Sequence, residues 1–176
     1  MRRGMWPSVL FMSLCALLFG INAAHAQEMG LRIDGLAAQA VQLNASRLLA
    51  LKHQRVTESR SVGAAGGKAD NVVASNMTGA TLADVLNAAG FDKLDRHAQR
   101  KSAIIAIAAD GYQAAFSWAE IFLNDSGSGM LVLWERDGRT LTDGEGPLAL
   151  IALKDFRTGP RHVKRLIALR IVTGVQ

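Results

Sequence analysis

Short stretches in which apolar and polar residues alternate recur along the chain and predict half-buried strands. Leu31-Arg32-Ile33 and Val41-Gln42-Leu43 show this pattern on either side of a bend at Gly35. Residues 54–58 and 71–77 also read as strands, and Gly79 is expected to end the second of them. Further strands are predicted at residues 104–107, 112–116, 130–135, 148–153 and 166–172.

Apolar residues at helical spacing are confined to a few short segments. Leu82, Val85 and Leu86 follow Thr81, which with Asp84 resembles a capping box, and Gly90 is a typical helix stop. Asn44 or Ser46 can begin another short helix, whereas residues 92–102 alternate in charge and predict a solvated connection. Many short strands and few helices indicate an α+β fold with a mixed, partly barrel-like sheet.

The segment Ala103–Glu120 concentrates the polar chemistry of the chain. Asp110-Gly111 is a hairpin turn signal, and Ser117 with Glu120 forms the S-x-x-E pattern of a capping box. The turn and the cap would gather one carboxylate and three rings, those of Tyr112, Phe116 and Trp118. Capping explains the spacing of Glu120 without a ligand, and a binding site is the alternative.

The first 26 residues have the features of an export signal. Arg2 and Arg3 precede an apolar run over residues 9–21, and Ala24-His25-Ala26 fits a cleavage site. The run is shorter than the roughly 20 residues that a spanning helix needs. We therefore expect a periplasmic protein, exported by the general secretory route and not membrane-spanning, with a single domain over residues 27–176.

Cleavage of this signal would change the charge and the thiol content. Loss of Arg2 and Arg3 lowers the formal net charge from +5 to +3, which makes nucleic acid an unexpected partner for an exported protein. Cys15, the only cysteine, lies in the apolar run and would leave with it. The mature chain would then have no disulfide, no cysteine metal ligand and no cysteine nucleophile.

Other candidate sites have ordinary structural explanations. His53, His97 and His162 are not spaced as metal ligands, and no G-x-S-x-G elbow supports a hydrolase. The glycine-rich residues 60–70 lack the spacing of a phosphate-binding loop and favour a hairpin tip. The basic residues between 157 and 165 are either a solvated edge or a receptor for an anionic group.

Five segments, in this order, resemble the molybdopterin-binding domain of the sulfite oxidase-like superfamily. They are TGATLADVLNAAG (78–90), ADGYQAAFSWAE (109–120), DGRTL (137–141), GPLALI (146–151) and HVKRLIALRI (162–171). The resemblance covers most of the chain from about residue 31 onward. It implies an α+β fold with a mixed, partly barrel-like sheet.

The chain departs from the catalytic members of that superfamily at one position. Those enzymes bind molybdenum through a cysteine that would fall between Val56 and Met77, and this region has none. The chain is similar instead to cysteine-free periplasmic members, which bind a reduced pterin and act on a membrane-bound cyclic-di-GMP enzyme. The resemblance thus implies a non-catalytic pterin sensor whose partner is the periplasmic domain of an inner-membrane protein, with molybdopterin the less suitable cofactor.

Two other functions stay open beside the sensor. One is a molybdopterin-dependent oxidoreductase subunit without the cysteine ligand, and the other is a scaffold with an empty pocket that binds only a protein.

The resemblance also implies which residues would hold a pterin. A carboxylate can accept two parallel N–H bonds from the aminopyrimidinone edge, while an aromatic face stacks on the ring. The residues expected to contribute are Glu120, Trp118, Tyr112, Phe116, Trp134, Asp110, Arg161 and Lys164.

Overall fold

The computed structural model describes residues 29–62, 71–156 and 159–174. The predicted export signal, most of the glycine-rich segment and Arg157 lie outside the described residues. The described strands are β1 (Gly30–Asp34), β2 (Val41–Asn44), β3 (Gln54–Val62), β4 (Asn71–Thr81), β5 (Ala103–Ala108), β6 (Gln113–Ser117), β7 (Met130–Arg136), β8 (Arg139–Thr140), β9 (Ala149–Ala152) and β10 (Leu166–Val172). The helices are α1 (Ala45–Leu49), α2 (Leu82–Ala88), α3 (Arg96–Arg100) and α4 (Trp118–Phe122).

The strands form two sheets, so the predicted α+β fold with mixed pairing is confirmed. One sheet has the order β2-β1-β10-β5-β6, in which β1 and β10 run parallel and the other neighbours antiparallel. The other has the order β3-β4-β7-β8, and β9 also pairs with β7. Within the described ranges these sheets do not close into a single barrel.

The β5–β6 hairpin is confirmed, and alternation along it sets its two faces. Ile104, Ala106 and Ala108 of β5 are buried, as are Ala114 and Phe116 of β6. Gly111 lies at the turn with φ of +87°, a conformation that glycine adopts without strain. The apolar side of the hairpin therefore packs against the main core, and β6 leads directly into α4.

Strand β7 has a continuous apolar sequence because both of its faces are covered. Met130, Val132 and Trp134 pack into the main core. Leu131 and Leu133 point the other way, into a smaller cluster with Met77, Leu141, Ala149 and Ile151. Such a strand reads as an unbroken hydrophobic run, as a strand buried on both faces should.

The prediction that Gly79 ends a strand is wrong. β4 continues to Thr81 with a register shift between Thr78 and Gly79. A Cβ atom at position 79 would lie 2.3 Å from the carbonyl oxygen of Val132. Glycine is needed here because the β7 backbone approaches closely, and it marks a bulge instead of a stop.

The solvated connection predicted over residues 92–102 contains short helices that the sequence pattern did not indicate. A 3₁₀ helix covers Phe91–Lys93, and α3 follows with Asp95 accepting hydrogen bonds from the His97 and Ala98 amides at 2.8 and 3.2 Å. A cap can begin a helix in a charged segment that has no apolar periodicity. None of the described helices is both long enough and apolar enough to cross a membrane.

Candidate functional site

The predicted capping box at the start of α4 is present. The Ser117 amide and hydroxyl both donate to Glu120 Oε2 at 2.9 Å, and the Glu120 amide donates to Ser117 Oγ at 3.2 Å. Burial opposes ionisation of Glu120, but the hydrogen bonds from Ser117 and Arg161 outweigh it and lower the pKa of this carboxyl. The carboxylate is therefore ionised and already used in local structure.

Arg161 contacts this corner, although it is 41 residues from Glu120 in the sequence. Its Nη1 donates to Glu120 Oε1 at 2.9 Å, its Nε donates to Asp155 Oδ2 at 2.6 Å, and its guanidinium lies 5.0 Å from the centre of the Phe116 ring. The hydrogen bond to Asp155, followed by the one to Glu120, raises the pKa of Arg161 despite burial. We call Glu120, Asp155 and Arg161 the closed ion cluster, because each charge in it already has an opposite charge.

The other predicted polar residues belong to, or bond to, the stretch from Pro160 to Arg165. The Tyr112 hydroxyl donates to the carbonyl oxygen of Pro160, next to Arg161. Asp110 accepts from the Tyr112 amide, which lowers its pKa, and lies 3.4 Å from Nη2 of Arg165. Lys164 is exposed at the end of the same segment. Phe116 and Glu120 thus both contact Arg161, and Tyr112 bonds the residue before it.

The predicted aromatic residues occupy three different environments. Phe116 is fully buried and Trp134 is 6% exposed, both in the main core. Trp118 is half-buried and stacks on Phe122, on a part of α4 that also packs against the core. A pterin could not stack on the buried Phe116 or Trp134 without displacing core neighbours, whereas Tyr112 is 46% exposed.

A second group of polar residues comes together where β7, the segment after β8 and the start of β10 meet. Arg136 Nε and Nη2 donate to Glu145 Oε2 and Oε1 at 3.1 and 2.7 Å, and His162 Nε2 lies 3.0 Å from Glu145 Oε1. Arg136 Nη1 also donates to Ser75 Oγ at 2.8 Å. We call Arg136, Glu145 and His162 the cleft triad.

Arg136 and Glu145 of the cleft triad border a cavity of about 350 Å³. The cavity is lined by Arg136, Asp137, Arg139, Thr140, Thr142 and Glu145. The hydrogen bond to His162 and the bonds from Arg136 outweigh burial and lower the pKa of Glu145 to about 2. This volume is within the range of small-molecule sites, and the lining offers guanidinium, hydroxyl and carboxylate groups to a polar ligand.

One short segment, Gly159–Arg165, connects the two groups, and we call it the basic segment. Arg161 belongs to the closed ion cluster, and the next residue, His162, belongs to the cleft triad. The Arg165 amide donates to the carbonyl oxygen of Glu145 at 2.6 Å, and the Ala109 amide donates to the carbonyl oxygen of Arg165 at 2.9 Å. The segment is therefore bonded to the loop after β8 and to the residue after β5, and its Val163 also pairs with Leu150 of β9.

Sequence reasoning missed Arg136, Arg139 and Glu145. Asp137-Gly138 is a hairpin-turn signal, and charges of alternating sign surround it from Glu135 to Arg139. That charge pattern was the available signal. What the sequence could not indicate is that Ser75, which precedes Arg136 by 61 residues, lies beside it.

A family model described as an oxidoreductase molybdopterin binding domain matches residues 19–174. The chain belongs to this family. Its fold is similar to that in the crystal structure of the sulfane dehydrogenase SoxCD from Paracoccus pantotrophus, with a TM-score of 0.59 and 16% sequence identity. The match covers 81% of this chain and 37% of that chain, so this chain spans little more than a third of its length. No curated protein sequence is significantly similar.

A molybdopterin cofactor consists of an organic pterin and a bound metal. The residues of this molybdopterin-binding domain suit these two parts unequally. A pterin presents ring nitrogens, a carbonyl oxygen and an amino group, which match the guanidinium, hydroxyl and carboxylate groups of the cleft. A molybdenum–thiolate bond needs a cysteine, and the only one is Cys15, outside the described residues. Among the described residues, no three His, Cys, Asp or Glu side chains are grouped as metal ligands. The described residues therefore offer hydrogen-bonding groups to a pterin ring but no cysteine thiolate to a metal.

Proposed function

We propose that the protein binds a reduced pterin without catalysing a reaction, and that the cleft beside Arg136 and Glu145 is the binding site. One observation carries the proposal: a polar cleft of about 350 Å³ in a molybdopterin-binding domain whose only cysteine is Cys15. Such a cleft can hold a pterin through hydrogen bonds to its ring edge. Molybdopterin is the less suitable ligand because no cysteine other than Cys15 could bind its metal.

The cleft is a better location for the ligand than the corner at Glu120. Both oxygens of the Glu120 carboxylate accept hydrogen bonds from Ser117 or Arg161, so a pterin edge would have to displace them. The rings expected to stack there are largely buried, apart from Tyr112. Arg161 then serves to place the basic segment, and Lys164 extends from that segment as a contact for an anionic substituent.

We extend the proposal to a sensor role in the periplasm. The export signal predicted at residues 1–26 supports this location, and the absence of a catalytic thiol supports a receptor that reports ligand occupancy. Its partner would be the periplasmic domain of an inner-membrane protein that carries a cyclic-di-GMP enzyme domain. Expression in a strain with and without that partner, with cyclic-di-GMP measured as pterin is supplied, would test this part.

The binding proposal is tested on protein purified from the periplasm under anaerobic conditions. We expect pterin fluorescence in the oxidised extract at close to one equivalent per chain, and molybdenum well below one equivalent by elemental analysis. Protein that carries no pterin and does not bind tetrahydrobiopterin in a titration would refute the proposal. Stoichiometric molybdenum would establish the oxidoreductase alternative instead.

A further inference from the structure

The Glu145 carboxylate accepts hydrogen bonds from two other side chains of the protein, Arg136 and His162. Oε1 accepts from Arg136 Nη2 at 2.7 Å and from His162 Nε2 at 3.0 Å, while Oε2 accepts from Arg136 Nε at 3.1 Å. The side chains of Glu145 and His162 are only 11% and 6% exposed. Because an ionised carboxylate only accepts, His162 must carry its proton on Nε2.

The same bonds hold the Arg136 guanidinium from two sides. Glu145 engages its Nε and Nη2 edge in the two-bond fork that fixes both distance and plane. Ser75 on β4 accepts from Nη1 at 2.8 Å. The guanidinium is thereby oriented before any ligand arrives, and a side chain already ordered costs less entropy on binding.

We propose that Glu145 is a positioning residue for ligand recognition, which fixes Arg136 as the hydrogen-bond donor of the cleft, and that His162 holds Glu145 in turn. The inference rests on the proposed pterin-binding function and deepens it. In this proposal Arg136 recognises the ligand by donating hydrogen bonds to its acceptor atoms. In a pterin these acceptors are the carbonyl oxygen and the ring nitrogens.

Glu145 has a different role from the one expected for Glu120. A carboxylate that binds a pterin directly must offer its oxygens to the N–H groups of the ligand. Glu145 offers its oxygens to Arg136 and His162 instead, so it acts through another residue. Substituting it should weaken binding by releasing Arg136, even though Glu145 does not supply the contact itself.

The test is calorimetric titration with tetrahydrobiopterin under anaerobic conditions. We expect Glu145→Gln to weaken binding about tenfold, since the fork is lost and Arg136 is held less firmly. His162→Gln keeps an N–H donor and should bind within about threefold of the unmodified protein, whereas His162→Ala should approach the loss seen for Glu145→Gln. The matched control is Glu135→Gln, because Glu135 bonds Thr78 and does not line the cleft.

Arg136→Lys provides a second variant in case Glu145→Gln does not fold. It keeps the charge but loses the fork, and about tenfold weaker binding is again expected. Unchanged affinity in Glu145→Gln or Arg136→Lys, or an equal loss in Glu135→Gln, would overturn the inference while pterin binding by the unmodified protein still stood.

A measurement without ligand distinguishes the two proposals. In the free protein, the side-chain NMR signals of Arg136 should show slow guanidinium rotation, and Glu145→Gln should remove this restriction. If the unmodified protein does not bind tetrahydrobiopterin, the proposed function and the recognition role fail together. If Arg136 is equally mobile in both proteins, the positioning role fails whatever the affinity.

Discussion

The closed ion cluster and the cleft triad are both built from arginine and carboxylate groups, but they differ in what lies beside them. Arg161 covers the buried ring of Phe116 and pairs with Glu120 and Asp155. Arg136 pairs with Glu145 and borders a cavity of about 350 Å³. A charged group over an aromatic core residue is held within the fold, whereas one beside a cavity can be reached by a ligand.

The capping box at Glu120 and the cleft triad also differ in how far apart in the sequence their bonded residues lie. Ser117 and Glu120 are three residues apart, so the sequence pattern alone predicts their contact. Arg136 is 61 residues from Ser75 and nine from Glu145, and no local pattern relates them. Sequence reasoning therefore favoured the corner that it could recognise and overlooked the cleft that depends on sheet pairing.

The largest expected effect is that of Gly146→Ala, beside the cleft triad. Gly146 has φ of +81°, and a Cβ atom there would lie 2.7 Å from the Cα atom of Arg165. We expect a loss of about 3–4 kcal/mol in the free energy of unfolding, measured by chemical denaturation. Gly111→Ala is the matched control, because its φ is +87° but its Cβ would meet no atom within 4 Å; it should cost only about 1 kcal/mol. Equal costs would refute the close approach of the two segments.

Arg161→Ala should be the next most damaging change. It leaves two partly buried carboxylates without their cation, and we expect about 2–3 kcal/mol of destabilisation by thermal unfolding. Lys154→Ala, which breaks the more exposed pair with Asp125, should cost under about 1 kcal/mol. Pterin affinity should stay within about twofold of normal. Weaker binding at unchanged stability would instead place Arg161 in the ligand site.

Acid should weaken the fold through Glu145. Its pKa is lowered from 4.5 to about 2 on folding, so its contribution is complete above pH 4.5 and is lost as the pH falls towards 2. The contribution is on the order of 2 kcal/mol. Unfolding free energies measured across this range should fall less steeply in Glu145→Gln. The same slope in both proteins would show that Glu145 is not the group responsible.

The smallest expected effect is that of Glu120→Gln. It weakens the capping box and the pair with Arg161, and we expect a cost of about 1 kcal/mol with pterin affinity retained. Denaturation and titration of the same preparation would decide between cap and anchor. Lost affinity with little lost stability would restore Glu120 as the pterin anchor.

The elements that the sequence predicted are those whose signals are local. β10 spans residues 166–172 as expected, the hairpin turn at Asp110-Gly111 is present, and Thr81 and Ser117 cap their helices. Gly79 was misread because its requirement for a small residue arises from Val132, on a strand distant in sequence. α3 was missed because its cap, Asp95, stands in a charged segment without apolar periodicity.

Arg161 and His162 are neighbours in the sequence, and this limits the insertions and deletions that the chain can accept there. Each residue is tied to a different part of the fold, to Glu120 and Asp155 on one side and to Glu145 on the other. One peptide bond sets the spacing between these attachments, so an inserted or deleted residue at that bond would pull one attachment out of place. Among descendants of this sequence, single substitutions along the basic segment should therefore accumulate more readily than any change in its length.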